Sequence, residues 1–139
     1  MCREFKTAII ILFITLSVRT GSAQESDSTI VAIYTDDQAE RGALVYEKSC
    51  GICHQPEQFK GAVFMDAWGG QPVDALYTLI RTTMPYDNPS RLSRRQYAEI
   101  LAYIFKLNGM PAGITKLPSN IRKLKKITIE PLPEKRSKQ

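Results

Sequence analysis

Apolar residues recur at helical spacing in three stretches of this 139-residue chain. The first predicts a helix from Asp36 to about Ser49, with Ala39, Ala43, Tyr46 and Leu44 on its apolar side. Thr35-Asp36-Asp37-Gln38 forms a capping box at its start, with acidic residues where a helix N-terminus favours them. Gly42 falls inside this helix, where glycine costs roughly 1 kcal/mol against alanine; it reads either as a mark of close helix–helix approach or as a tolerated defect. The second helix opens on Pro72, a residue suited to a first turn, and continues through Val73, Leu76, Leu79 and Ile80. Thr82-Thr83-Met84-Pro85 ends it, because the residue before proline is pushed out of the α region. The third runs from Ser93 to Asn108, opened by the capping box Ser93-Arg94-Arg95-Gln96. Tyr97, Ile100, Leu101, Ile104 and Phe105 form its stripe, Gly109 is its C′ stop and Pro111 blocks continuation.

The stretches between read differently. Gly51 to Gly70 is loop-like, with Pro56, Gly61, Gly69 and Gly70. It also carries Phe59, Phe64, Met65 and Trp68, an aromatic surface that needs something to pack against. Pro85 to Arg91 is rich in turn residues. Gln24 to Tyr34 turns from polar to β-prone and predicts a short arm. Residues 116–139 are basic and contain Pro118, Pro131 and Pro133, which predicts an irregular tail with one extended piece, Ile127 to Ile129.

The N-terminus has a pattern of its own. Arg3 and Lys6 precede an uncharged run of twelve residues, Thr7 to Val18, and small residues follow at Gly21-Ser22-Ala23. This is the three-part arrangement of a secretory signal. The run is short of the roughly 20 apolar residues that span a membrane, which argues against an anchor. The expected division is 1–23 signal peptide, 24–34 arm, 35–115 helical domain and 116–139 basic tail, with cleavage after Ala23 and a periplasmic destination.

Composition sharpens this picture. The net charge of +5 becomes +3 once the leader is removed. Residues from Lys116 onward carry +6, so 24–115 carries −3. The basic residues lack interleaved aromatics, which argues against a nucleic-acid partner. A solvated extension is one reading of the tail, and steering toward an acidic partner or an anionic membrane face is another. Three cysteines are too few for a disulfide scaffold, and Cys2 leaves with the leader.

The remaining two cysteines stand in Cys50-Gly51-Ile52-Cys53-His54, the C-x-x-C-H pattern of covalent haem attachment. Two thiols three apart at a helix end point the same way, each able to form a thioether to one porphyrin vinyl group. His54 is then directed at the iron. A structural zinc site wants four ligands, and no second Cys or His pair exists. A thioredoxin-like pair wants a βαβ setting that the pattern lacks. With no other histidine in the chain, methionine is the natural sixth ligand. Met84 is the first candidate, since it ends a helix and Pro85 fixes the chain after it. Met110 is the second, although it follows the last helix, where an apolar residue packs back. Met65 sits in the aromatic stretch, and an open sixth position is the residual reading.

On these residues the chain resembles a class I cytochrome c with one haem. It is similar to the small domains associated with periplasmic quinoprotein dehydrogenases. The resemblance runs from about Gln38 to Gly113. It begins with Gln38-Ala39-Glu40-Arg41-Gly42 and Tyr46 before the C-x-x-C-H motif, and continues through Phe59, Phe64 and Trp68-Gly69. It closes with Thr83-Met84-Pro85, Leu92-Ser93, Tyr97 and Asn108-Gly109-Met110-Pro111-Ala112-Gly113. It implies an all-α cytochrome c fold in which the N- and C-terminal helices cross, with Gly42 close to Leu101 or Tyr103. It implies haem c as the cofactor, Cys50 and Cys53 as thioether anchors, and His54 and Met84 as iron ligands. The implied role is electron transfer rather than catalysis, between a dehydrogenase and a terminal oxidase or another cytochrome. The alternative is a haem enzyme or gas-binding module with an open or displaceable sixth position. The basic tail lies outside the resemblance.

Overall fold

The computed structural model describes residues 27–29 and 31–131. The leader, Cys2 and the cleavage position lie outside the described residues. Among the described residues, no helix is long and apolar enough to cross a membrane.

The chain forms β1 (Asp27–Ser28), α1 (Asp36–Ser49), a 3-10 turn (Pro56–Phe59), α2 (Ala62–Trp68), α3 (Val73–Thr83), α4 (Arg94–Leu107), α5 (Ile121–Leu124) and β2 (Ile127–Thr128). The all-α architecture expected from the sequence is what the structure has. The three helices that the apolar spacing predicts all form, with ends within a residue of those expected.

The helix ends follow from their side chains. Thr35 is extended and its hydroxyl accepts the Gln38 N–H at 3.2 Å. Gln38 does not return the bond. Its side chain is buried and clamps Leu117, donating to the Leu117 carbonyl at 3.0 Å and accepting the Leu117 N–H at 2.7 Å. At α4 both halves of the box form: Ser93 Oγ accepts from Gln96 N at 3.2 Å, and Gln96 Oε1 accepts from Ser93 N at 2.9 Å. Its C-terminus closes as a Schellman motif. Gly109 takes a φ of +72°, its N–H bonds Lys106 O, and Met110 N–H bonds Phe105 O. α3 ends at Met84, whose extended backbone is what a residue before proline adopts.

The helices pack around a core of Tyr46, Phe64, Val73, Leu76, Tyr77, Tyr97, Ile100, Leu101, Ile104 and Phe105, among others. α1 and α4 cross at Gly42. A β-carbon there would sit 1.8 Å from the Glu99 carbonyl oxygen. The close approach is therefore at Glu99 and Ile100, not at Leu101 or Tyr103. Tyr103 instead meets Tyr46, with ring centroids 5.3 Å apart. Glu99 is buried beside this contact, and its carboxylate pairs with Arg41 at 2.9 Å and Arg95 at 3.5 Å. Leu44, expected on the apolar side of α1, is 58% exposed. The buried side holds Gln38, Ala39, Gly42 and Tyr46.

Two expectations are corrected. Residues 51–70 are not simply a loop: Phe64 and Trp68, four apart, share the inner face of the short α2. Nor are residues 117–130 an irregular extension, although the extended piece expected at Ile127 to Ile129 does form, as β2. Leu117, Leu124, Ile127 and Ile129 are all buried in the main core. β2 pairs in parallel with β1, Asp27 opposite Ile127, and Ile129 exchanges backbone bonds with Gly70 and Gln71. The arm is drawn in as well. Tyr34 is buried, its hydroxyl donates to Met110 O at 2.6 Å, and its carbonyl accepts the Gly113 N–H.

Gly42→Ala is expected to destabilise the protein by at least about 2 kcal/mol, because backbone must shift to admit the methyl group. An unchanged urea midpoint would exclude the tight crossing. The Tyr34 phenol gives a second test. Its pKa is pushed up from 10.0 to about 12, chiefly by burial and then by the Asp36 charge. The folded state thus holds this proton more tightly than the unfolded chain. The associated stability is complete below pH 10 and is lost as pH rises toward 12. Urea midpoints should fall across that window, and Tyr34→Phe should flatten the fall.

Candidate functional site

The C-x-x-C-H segment is a single tight turn on the end of α1. Cys50 is the helix C-cap, its N–H bonded to Tyr46 O at 2.7 Å. Its own carbonyl accepts two N–H groups, from Cys53 at 3.0 Å and His54 at 2.9 Å. Both thiols and the imidazole therefore hang from five residues whose backbone is fixed by its own bonds. Gly51 suits the first turn position, since a β-carbon there would lie 2.9 Å from Glu47 O.

Tyr46 locks the turn from inside. One helical turn before Cys50, it donates its hydroxyl to the His54 carbonyl at 2.9 Å. Burial first, and nearby charge second, push its pKa up to about 12, so it stays a donor through the neutral range. Phe59 packs edge-on against the His54 ring at 5.4 Å and against Tyr46 at 6.2 Å. Cys50 is half-buried and Cys53 is exposed. Burial raises the Cys50 pKa, while the Arg91 charge acts against it.

Asn108 supplies a brace that sequence reasoning had read only as a helix end. Its amide nitrogen donates to Phe59 O at 2.8 Å and Ile104 O at 2.9 Å, and its Oδ1 accepts the Gly61 N–H at 2.9 Å. The end of α4 thus holds the aromatic stretch against the core. The Asn-Gly pair at a helix end was the available signal.

Met84 is half-buried at the end of α3. Tyr97 of α4 donates its hydroxyl to the Met84 carbonyl at 2.8 Å. Pro85 is buried behind it, and the chain turns through Asn88 and Arg91. The structure thus gathers Cys50, Cys53 and His54 on one turn and fixes Met84 separately through α4. Met110 is buried in the core, as a residue packing back on the last helix. Met65 is half-buried on α2.

The candidate donors are the two thiols and the imidazole of the turn, with the Met84 thioether held apart from them. Among the described residues, no three His, Cys, Asp or Glu side chains gather as a cage for a bare metal ion. The residues therefore fit a cofactor that brings its own equatorial ligands and needs the protein only for anchoring and axial contacts. Phe59, Phe64, Trp68, Leu76, Ile80 and Ile104 all belong to the core or its edge, as an apolar cofactor requires.

Comparison with known proteins agrees with this chemistry. Residues 37–104, from the first turn of α1 into α4, match the family model described as Cytochrome C oxidase, cbb3-type, subunit III. The match supports a class I c-type cytochrome. The cytochrome c domain implies one covalently bound haem c with its iron. No curated protein and no solved structure matches the chain.

Asn108→Ala removes all three bracing bonds, two of them part-buried, and leaves the Phe59 carbonyl without its side-chain donor. A loss of about 1–3 kcal/mol in urea unfolding is expected, with Gln substitution failing to restore it fully. No change in stability would reduce the brace to a passive contact.

Proposed function

We propose that the protein is an exported electron carrier, with Cys50 and Cys53 as thioether anchors and His54 and Met84 as the axial ligands. It moves single electrons between a dehydrogenase, of the quinoprotein class, and a respiratory acceptor such as a terminal oxidase or another cytochrome. The leader pattern supports a periplasmic setting. The observation that carries the proposal is the cysteine turn itself: Cys50 O caps both Cys53 and His54, and Tyr46 holds the His54 carbonyl from the core.

Haem c supplies a one-electron Fe(III)/Fe(II) couple when bound. The protein's part is to hold its own groups still. Tyr46 and Phe59 limit movement of the His54 backbone and ring. Tyr97 holds the Met84 backbone, so the thioether is offered from a fixed point. A neutral methionine favours the less charged Fe(II) and raises the potential. The apolar side chains around the site exclude water and act in the same direction, since burial disfavours extra charge. With His54 and Met84 both holding the iron, no position would be left for a substrate, which suits a carrier rather than an enzyme.

An optical spectrum tests this. The oxidised protein should be low-spin, with the weak band toward the red that marks methionine on ferric iron, and Met84→Ala should abolish that band. Tyr97→Phe should keep the band but weaken it on warming. A native protein that is high-spin and binds carbon monoxide readily would overturn the carrier reading in favour of an enzyme or gas-binding module.

A further inference from the structure

Three arginines from three separate helices line one cleft behind α3. Arg81 comes from α3, Arg94 from the start of α4 and Arg122 from α5. Tyr77, Ser119 and Asn120 complete the polar lining of a cavity of about 210 Å³. Among the described residues, no carboxylate lines it. Among the described residues, none of the three guanidiniums takes part in an ion pair, although Arg41, Arg95, Lys60 and Lys106 all do. What sets these three apart is that they line the same small volume, with no carboxylate paired to any of them among the described residues.

The cleft is built by the core. Tyr77 is buried, and its hydroxyl donates to the Arg94 carbonyl at 3.2 Å, which ties α3 to the start of α4. The charges of Arg81 and Arg94 both act on the Tyr77 phenol against the effect of burial, so both lie beside it. Ser90 Oγ donates to the Arg81 carbonyl at 3.0 Å and fixes the last turns of α3. Asn120 Oδ1 accepts the Arg122 N–H at 2.9 Å, which occupies the amide oxygen and leaves its NH₂ group as a donor. Leu117 and Leu124, both buried, seat the 117–124 segment on the domain. The lining therefore offers guanidinium, amide and hydroxyl donors, held from three directions.

We propose that this cleft binds a phosphate-class oxyanion, one with several oxygens and more than one negative charge. Guanidinium forks match phosphate oxygens in pairs, and three positive charges around one volume suit a multiply charged group better than a single carboxylate. The ligand chemistry is the same for a free inorganic phosphate or pyrophosphate and for a phospholipid headgroup. The site is separate from the cysteine turn and from Met84, none of whose residues lines it. It gives the basic C-terminal segment a defined place to act.

The test uses the full-length holoprotein and two probes. Pyrophosphate is titrated calorimetrically, and vesicles of phosphatidylglycerol in phosphatidylcholine are used in sedimentation. Saturable binding of pyrophosphate, weakened about ten-fold or more in both Arg81→Gln and Arg122→Gln but not in Lys125→Gln, supports a site for a free anion. Vesicle binding with the same variant pattern and no pyrophosphate binding supports the same site with a lipid headgroup as its source. Equal losses in Lys125→Gln and Arg81→Gln would show diffuse charge and overturn the proposal. So would the absence of binding to both probes. An unchanged haem spectrum and unfolding midpoint in each variant show that the fold is intact. Should Arg81→Gln fail that check, Arg81→Lys, which keeps the charge and loses the fork, takes its place with the same expected weakening.

Discussion

Gly42 lets α1 and α4 approach until one helix backbone touches the other, and most of the molecule is arranged from that contact. A helix pair held apart by side chains can slide by part of a turn. One held at backbone contact has little freedom in depth or register. Here the register is fixed further by the Glu99 carboxylate, buried beside the crossing and paired with Arg41 across the helices. Such a pair gains little net stability after desolvation, but breaking it would leave an unpaired buried charge. The alternative registers are therefore the costly ones.

From this fixed pair, each part of the site is reached by a short lever. α1 ends in the cysteine turn, and Tyr46, one turn earlier, holds His54. α4 reaches the site from both of its ends. Tyr97 near its start holds the Met84 carbonyl, and Asn108 at its close holds residues 59–61. Both tyrosines act on backbone carbonyls, so they set where the chain runs and leave the histidine and methionine side chains free to serve as ligands. That division suits an electron carrier, in which the ligands should move little between oxidation states.

What could be read from the sequence follows the range of each interaction. α1, α3 and α4 were legible because spacing, caps and stops are local: Thr35, Ser93, Gly109 and Pro85 act within a few residues. The C-x-x-C-H turn was legible for the same reason, and the structure places it as one unit. The position of the crossing was only half legible. Gly42 announced a close approach, but its partner lay 57 residues away and proved to be Glu99. Gln38 shows the limit well. As a local signal it belonged to a capping box, yet its amide serves Leu117, 79 residues on. The segment beyond Lys116 was legible only in its extended piece, where Ile127 and Ile129 alternate as a strand does; Leu117 and Leu124 are isolated apolar residues with no period to announce them. They are buried by surfaces that exist only once the helices have packed.

That segment also changes the meaning of the charge distribution. An extension carrying +6 suggests a mobile arm, whose charges act only as an average field. Buried leucines and isoleucines at 117, 124, 127 and 129 remove most of that freedom for the part up to Glu130. Its pairing with β1 closes the domain by joining the two ends of the described chain. Arg122 is then held at a set distance from Arg81 and Arg94, and a general surplus of positive charge becomes a local one with a shape. Fixed charges of one sign in a concave site raise the potential there well above that of the same charges spread along a flexible arm. The apolar residues that sequence periodicity passed over are thus the reason the basic ones can act together.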